Sequence, residues 1–204
     1  IRNCDWSSDV CSSDLLPTEA QLSLEQKEVM SAPHEGTILV VGPPGSGKTV
    51  VAILRQRALE KRKATVSSVV FNNVLTRYTG NEHTFERWVK AWWTKATESA
   101  FPTSLVPGTR YRSPEYREAA ELATTTFKTH VRARGNWGHL ILDEAQDFHQ
   151  DAHRLLVAVQ YNVMGDLPTS QRPSLCILAD ENQRINPNNS TIRSEEHTSE
   201  LQSQ

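Results

Sequence analysis

Short apolar runs alternate along the chain with longer segments in which apolar residues recur every three or four positions. The short runs predict buried strands at residues 37–41, 65–71, 138–143 and 174–179. The longer segments predict helices at residues 24–30, 50–63, 84–99, 115–134 and 151–163. Strands that alternate with helices in this way predict an α/β fold, with a mostly parallel sheet covered by helices on both faces.

The segment at residues 101–114 interrupts this alternation because it contains three prolines and a glycine. We interpret it as a surface loop or as the base of a short, mainly helical insertion at about residues 85–136. In the preceding helix, Trp88 and Trp92 lie one turn apart on the same face. Such a pair can stack on nucleic-acid bases, but packing between helix and sheet is the more common use, and we favour packing.

The two ends of the chain lack apolar periodicity and are related at the level of DNA. One DNA segment, read from opposite strands, can encode both residues 5–15 and residues 193–203. We therefore interpret residues 1–15 and 193–204 as translated sequencing adapter and exclude them from the fold. The domain to be explained is then residues 16–192, and we expect the natural gene to continue past both ends.

Charge and composition refine this picture. Without the two ends, which carry two basic and six acidic residues, the formal net charge changes from −2 to +2. This charge neither requires nor rules out a nucleic-acid partner. We interpret the basic run at residues 55–63 as a solvent-exposed helix face. Cys176 is the cysteine that remains in 16–192, apolar runs are too short to span a membrane, and no signal peptide is visible, so we predict a cytoplasmic protein.

A glycine-rich segment follows the first predicted strand and precedes a predicted helix. It matches the phosphate-loop pattern G-x-x-x-x-G-K-S/T at Gly42, Pro43, Pro44, Gly45, Ser46, Gly47, Lys48 and Thr49. The glycines let backbone N–H groups converge on phosphates at a helix N-terminus. Lys48 would contact the β- and γ-phosphates, and the Thr49 hydroxyl would help to hold Mg²⁺. Together with Val50, the first residue of the predicted helix, these residues form the predicted nucleotide site.

Two acidic residues end the predicted strand at residues 138–143. Asp143 and Glu144 follow an apolar run and would lie at the carboxyl edge of the sheet, where open α/β sheets bind ligands. Asp143 would hold Mg²⁺ through water, and Glu144 would orient or deprotonate the attacking water. A strand that ends in Asp-Glu is common, but its position downstream of a complete P-loop favours this functional interpretation.

The sequence Asp143-Glu144-Ala145-Gln146-Asp147 resembles the Asp-Glu-x-Gln-Asp box of superfamily 1 helicases of the UvrD/Rep type. Further family boxes occur in the same order over about residues 22–186, at Leu24-Glu25-Gln26, Val70-Phe71-Asn72-Asn73, Thr84-Phe85 and Ala179-Asp180-Glu181-Asn182-Gln183. The chain departs from the family at Glu86, where the family has histidine, and at residues 184–187, which supply no aromatic residue for base stacking.

This resemblance implies a RecA-like domain that uses ATP and Mg²⁺. It implies that Gln26 reads the adenine edge and that Gln183 senses the γ-phosphate, so that the catalytic residues are Lys48, Glu144 and Gln183. It also implies contacts with single-stranded DNA, although RNA stays open as a partner, at Phe71, Asn72, Asn73, Thr84 and Phe85. We expect a second RecA-like domain in the full-length chain, with the arginines that complete the ATP site, and no membrane partner.

The predicted function is a helicase motor that couples ATP hydrolysis to translocation on single-stranded nucleic acid. Without the second domain, this chain should bind nucleotide, hydrolyse it poorly and not unwind a duplex. Two alternatives stay open. The domain is a nucleotide switch or translocase in a defence or repair complex, or it is a small-molecule kinase, which the residues Gln146-Asp147 after the acidic pair make less favourable.

Overall fold

Strands and helices alternate in the computed structural model, which describes residues 19–70 and 84–180. The strands are β1 (Thr37–Val41), β2 (Val66–Val70), β3 (Thr103–Leu105), β4 (Arg112–Pro114), β5 (His139–Asp143) and β6 (Ser174–Ala179). The helices are α1 (Leu24–Ser31), α2 (Lys48–Lys61), α3 (Phe85–Thr97), α4 (Tyr116–Thr124), α5 (Lys128–Arg134) and α6 (Gln150–Val157). The predictions for residues 1–15, 71–73, 183 and 193–204 lie outside the described residues.

Four of these strands form a parallel sheet in the order β1-β6-β5-β2. In its register, Val41 pairs with Ala179 and Leu142 pairs with Ile177. The P-loop follows β1, Asp143 ends β5, and Asp180 follows β6. Because the carboxyl ends of parallel strands share one edge of the sheet, this topology brings the P-loop and the acidic pair together.

Apolar side chains pack on both faces of the sheet. On one face, Ile141, Cys176 and Leu178 form a core with the buried side chains of α2. On the other face, Leu140 and Leu142 lie in a larger core that includes residues of α3, α4 and α6. Successive residues of a strand point to opposite faces, so β5 serves both cores. The predicted α/β P-loop fold, with a parallel sheet and helices on both faces, is confirmed.

The tryptophans of α3 pack inside the protein. Trp88 and Trp92 are 8% and 7% exposed, and their rings stack with centroids 6.2 Å apart. Trp92 Nε1 donates a hydrogen bond to the Gly135 carbonyl at 2.8 Å, and both rings meet Trp137 edge-on. The packing role favoured for this pair is therefore confirmed.

The region between α3 and β5 differs from the prediction in two ways. Residues 101–114, predicted as a surface loop or as the base of a short insertion, contain an antiparallel hairpin in which β3 pairs with β4. The single helix predicted at 115–134 is interrupted at residues 125–127, where Phe127 N–H donates to the Leu122 carbonyl at 2.8 Å. This turn places Phe127 edge-on against Trp93, with ring centroids 5.7 Å apart. Helical periodicity alone could not reveal a break that is stabilised by an aromatic contact between distant residues.

Arg55 corrects the prediction of a solvent-exposed basic helix face. Its side chain is 2% exposed and donates hydrogen bonds to the carbonyls of Val29, Ala32 and Pro33 at the end of α1. Helix ends leave carbonyls without partners, and a buried guanidinium satisfies several of them at once. Arg55 thus fixes α1 to α2. Among the described residues, no helix is both long enough and apolar enough to cross a membrane.

Candidate nucleotide-binding site

The P-loop joins β1 to α2 at the carboxyl edge of the sheet. Gly45 and Gly47 have φ angles of +75° and +82°, in the left-handed region that glycine adopts without the cost of a Cβ. Helix α2 begins at Lys48, two residues before the predicted start, so its first free N–H groups adjoin the loop. A Cβ at Gly47 would also lie 2.5 Å from Gln26 Nε2. Glycine at this position therefore serves both the turn and the close approach of α1.

Lys48 is folded over the loop that it belongs to. Its Nζ donates hydrogen bonds to the carbonyls of Gly42 at 2.7 Å and Pro43 at 3.0 Å, and it lies 4.0 Å from Asp180 Oδ2. The side chain is only 8% exposed. Phosphate oxygens that enter the loop can replace these carbonyls as partners of the ammonium group, as the predicted role of Lys48 requires.

Asp143 is a buried acid beside the P-loop, with 1% exposure. Its Oδ1 accepts the Glu144 N–H at 3.1 Å, and its Oδ2 has no hydrogen-bond partner among the described residues. Burial raises the pKa of the Asp143 carboxyl, and the charge of Glu144 acts in the same direction, whereas a hydrogen bond from Thr49 opposes the rise. A partly unsatisfied carboxylate next to a hydroxyl offers the oxygen ligands that Mg²⁺ prefers.

Glu144 stands at a sharp turn after β5, with φ of +55°. Its Oε2 accepts a hydrogen bond from Gln146 Nε2 at 2.6 Å. Gln146 Oε1 accepts the Asp180 N–H at 2.9 Å. Sequence pattern assigns Gln146 no role beyond its place in the family box, because its two contacts join the ends of different strands.

A cavity of about 240 Å³ lies between the P-loop and the carboxyl ends of β5 and β6. It is lined by Pro44, Gly45, Gly47, Lys48, Thr49, Val50, Glu144 and Asp180. The structure therefore brings the glycines, the lysine and the hydroxyl of the P-loop to the same space as Glu144. A cradle of this kind suits a polyphosphate, because a lysine and backbone N–H groups provide its positive side. The residue roles predicted for this cavity stay predictions.

Gln26 lies next to the P-loop, but its amide is engaged with protein groups. Its Nε2 donates to the Ser46 carbonyl at 2.9 Å, and its Oε1 accepts the Ser23 N–H at 3.0 Å. Ser23 in turn caps α1 by accepting the Gln26 N–H, which completes a capping box. An adenine at this position would have to exchange with these contacts.

Thr84 and Phe85, predicted to contact DNA, both have roles within the fold. Thr84 caps α3 by accepting the Arg87 N–H, and Phe85 is 4% exposed and stacks on Phe148. They border a groove of about 570 Å³ whose lining includes four carboxyl groups, at Glu86, Glu115, Asp147 and Asp151. Arg117 and His149 are the basic side chains among its described lining residues. This charge disfavours a phosphate backbone, and the DNA contacts stay predictions.

Comparison with known proteins places the P-loop region in a family. The model of the AAA domain family matches residues 32–170. Bacteroides Pif1 bound to single-stranded DNA is 18% identical, with a TM-score of 0.44, over 88% of this chain and 36% of that one. Pif1 helicase from Candida albicans is 15% identical, with a TM-score of 0.48, over 78% of this chain and 32% of that one. The chain spans about a third of the length of these structures. No curated protein matches it.

Proposed function

Because the chain belongs to the AAA domain family, we propose that residues 16–192 form the ATP-binding motor domain of a superfamily 1 helicase of the UvrD/Rep type. ATP hydrolysis would drive translocation on single-stranded nucleic acid, together with a second RecA-like domain of the full-length protein. The observation that carries the proposal is the cavity that the P-loop shares with Glu144, directly beside buried Asp143.

Each polar group at the cavity suits one part of phosphoryl transfer. Lys48 would neutralise the β- and γ-phosphates after leaving the carbonyls of Gly42 and Pro43. Thr49 and Asp143 would hold Mg²⁺, which supplies charge neutralisation when it is bound. Glu144 would orient the attacking water and accept its proton. Such a division of roles fits a reaction that depends on positioning and charge more than on covalent chemistry.

Residues around the cavity would provide specificity and coupling. Gln26 would read the adenine edge, because an amide offers both the donor and the acceptor that this edge requires. Gln183 would sense the γ-phosphate, and residues 71–73 with Thr84 and Phe85 would meet the nucleic acid. These assignments rest on the family boxes in the sequence. The proposed cytoplasmic location rests instead on Cys176, the one cysteine of residues 16–192, which favours a reducing compartment.

Replacement of Lys48 tests the nucleotide site. Lys48→Ala removes the charge that would meet the phosphates, so we expect ATP affinity to fall at least about tenfold. Lys61→Ala is the matched control, because Lys61 lies exposed at the far end of the same helix. Isothermal titration with a non-hydrolysable ATP analogue measures both. Equal affinity of the Lys48 variant and the wild type would show that the P-loop does not bind ATP.

Single-stranded DNA tests the motor. In the full-length protein, we expect single-stranded DNA to stimulate ATP hydrolysis, whereas the present chain should hydrolyse ATP slowly and not separate a duplex. The acidic groove beside Thr84 favours a second candidate, a nucleotide switch within a defence or repair complex. ATPase activity of the full-length protein that is indifferent to DNA would support the switch and overturn the helicase. Measurable unwinding by this chain alone would contradict the need for a second domain.

A further inference from the structure

Gln146 links the carboxylate of Glu144 to the end of a neighbouring strand. The residue lies in a short 3-10 turn, Ala145–Asp147, that follows β5, and it is 5% exposed. A backbone N–H can only donate, so the contact with Asp180 N–H at 2.9 Å fixes the amide oxygen on that side. The amide nitrogen must then face Glu144 Oε2, which it does at 2.6 Å.

The hydrogen bond from Gln146 restrains the carboxylate of Glu144, which is the group of the site that needs the most accurate placement. A water-orienting carboxylate works only within a narrow range of positions, and a displacement of about 1 Å can slow an enzyme on the order of 100-fold. Glu144 lies on an irregular turn with positive φ, so the sheet itself does not hold its side chain. The Gln146 amide supplies the support that this turn lacks.

The other end of the link lies on the strand between the two halves of the site. Asp180 follows β6, which pairs with β1 on one side and with β5 on the other. The Gly42 N–H at the start of the P-loop donates to the Ala179 carbonyl at 3.4 Å. A shift at the end of β6 would therefore reach the P-loop through Gly42 and Glu144 through Gln146.

We propose that Gln146 is a positioning residue that ties the hydrolytic carboxylate of Glu144 to the end of β6. Through this link, the rate of hydrolysis depends on where the backbone of Asp180 lies. Because Gln146 holds Glu144 and contacts no P-loop residue in its two hydrogen bonds, its loss should slow hydrolysis more than it weakens nucleotide binding. This inference rests on the proposed ATPase function and adds a regulatory contact to it.

Two variants separate the two hydrogen bonds of Gln146. Gln146→Met keeps the size of the buried side chain and removes both bonds. Gln146→Glu keeps an acceptor for the Asp180 N–H but removes the donor to Glu144 and places a second negative charge beside it. A purely structural role, in which Gln146 only satisfies the buried N–H, predicts that Gln146→Glu behaves like the wild type. Positioning of Glu144 predicts that both variants are slow.

Gln160 provides a matched control at the opposite edge of the sheet. It is 2% exposed, donates to the Pro173 carbonyl at 2.9 Å, and accepts from Thr37 Oγ1 at 2.7 Å. Gln160→Met therefore removes two hydrogen bonds from a buried glutamine without touching the site. It reports what a general loss of stability does to hydrolysis.

The experiment measures ATP affinity and single-turnover hydrolysis of the whole chain for all four proteins. We expect hydrolysis to fall about 10- to 100-fold in both Gln146 variants, with ATP affinity within about threefold of the wild type. In Gln160→Met, the hydrolysis rate per bound nucleotide should stay unchanged. Wild-type rates in either Gln146 variant would overturn the proposal, as would an equal loss of rate in Gln160→Met.

Binding of ADP with aluminium fluoride adds a measurement that needs no turnover. This complex imitates the transferring phosphoryl group, so groups that act in the transition state contribute to its affinity. We expect the Gln146 variants to weaken this complex relative to ADP alone, and an unchanged ratio would overturn the proposal. A wild-type chain that binds no ATP would instead overturn the proposed function itself. The two failures are therefore distinguishable.

Discussion

The substitution Asp143→Asn should stabilise the free protein. Asp143 is 1% exposed, and its Oδ2 lacks a hydrogen-bond partner among the described residues. An unsatisfied buried acceptor costs about 1–3 kcal/mol, and more when it is charged. Asp143→Asn keeps an oxygen for the Glu144 N–H and puts a neutral amide nitrogen in place of the charged Oδ2. It therefore removes the additional cost of burying a charge, and not the whole cost of a buried polar atom without a partner. We therefore expect the free energy of unfolding to rise by about 1–2 kcal/mol, or about 2–4 °C in melting temperature for each kcal/mol.

The same substitution should remove the effect of magnesium on nucleotide binding. A neutral amide is a poorer ligand for Mg²⁺ than a carboxylate, which is the ligand type that this cation prefers. Ligands that bind the folded state raise its stability in proportion to the logarithm of their concentration above Kd. Melting curves with ATP, with and without Mg²⁺, should therefore differ in the wild type and coincide in Asp143→Asn.

The sign of the pH dependence follows from the raised pKa of Asp143. When a carboxyl group has a higher pKa in the folded than in the unfolded state, its ionised form is the one that folding disfavours. This destabilisation is complete above the folded-state pKa and disappears as the pH falls towards the ordinary value of 3.8. The advantage of Asn over Asp in the free protein should shrink over the same range.

Asp166 supplies the control for a carboxylate with good partners. Its carboxylate accepts two hydrogen bonds from Arg132, at 2.6 and 2.7 Å, on the surface of the protein. Asp166→Asn loses an ion pair that is exposed to solvent and therefore contributes little to stability, so its melting temperature should stay level or fall slightly. Differential scanning calorimetry of the three proteins gives the answer. A lower melting temperature for Asp143→Asn than for the wild type would refute the reasoning, as would a retained magnesium effect.

Two further predictions concern the base and the pH response. Gln26→Ala should weaken ATP binding about 3- to 10-fold more than GTP binding in a competition titration. Equal losses would show that Gln26 acts only through Ser46. Burial, followed by the charge of Arg55, lowers the pKa of His34, and burial likewise lowers that of His139. Because the unfolded chain then binds protons more readily than the folded protein, the free energy of unfolding should be highest above about pH 6.5 and fall below it. Urea unfolding at a series of pH values measures this, and a slope that survives replacement of both histidines by glutamine would contradict it.

Local pattern was sufficient to predict the centre of the site. The P-loop follows directly from the residues 42–49 between an apolar strand and a helix, and Asp143 follows from its place at a strand end. Parallel pairing then requires both to meet at one edge of the sheet. The capping box of Ser23 and Gln26 is local in the same sense, because both of its bonds lie within one turn of helix.

Sequence patterns could not predict contacts between segments that lie far apart along the chain. Arg55 belongs to a basic run that has the appearance of a solvated face, yet it binds carbonyls of α1 more than 20 residues away. Gln146 gains its role only because β5 and β6 are neighbours in the sheet. Neither the contacts of Arg55 nor those of Gln146 produce a periodic pattern in the sequence, because both depend on how whole helices and strands pack together.

The polar groups of the site differ in the hydrogen bonds that they must lose when a nucleotide binds. Lys48 already has the carbonyls of Gly42 and Pro43, and Gln26 already has Ser46, so a nucleotide gains from each only the difference between new and old partners. Asp143 Oδ2 has no such partner among the described residues, and its burial raises the pKa of the carboxyl. A cation at Asp143 therefore relieves an existing cost without breaking a hydrogen bond. The magnesium-dependent part of ATP affinity should accordingly exceed the part contributed by Gln26, which exchanges one neutral hydrogen bond for another.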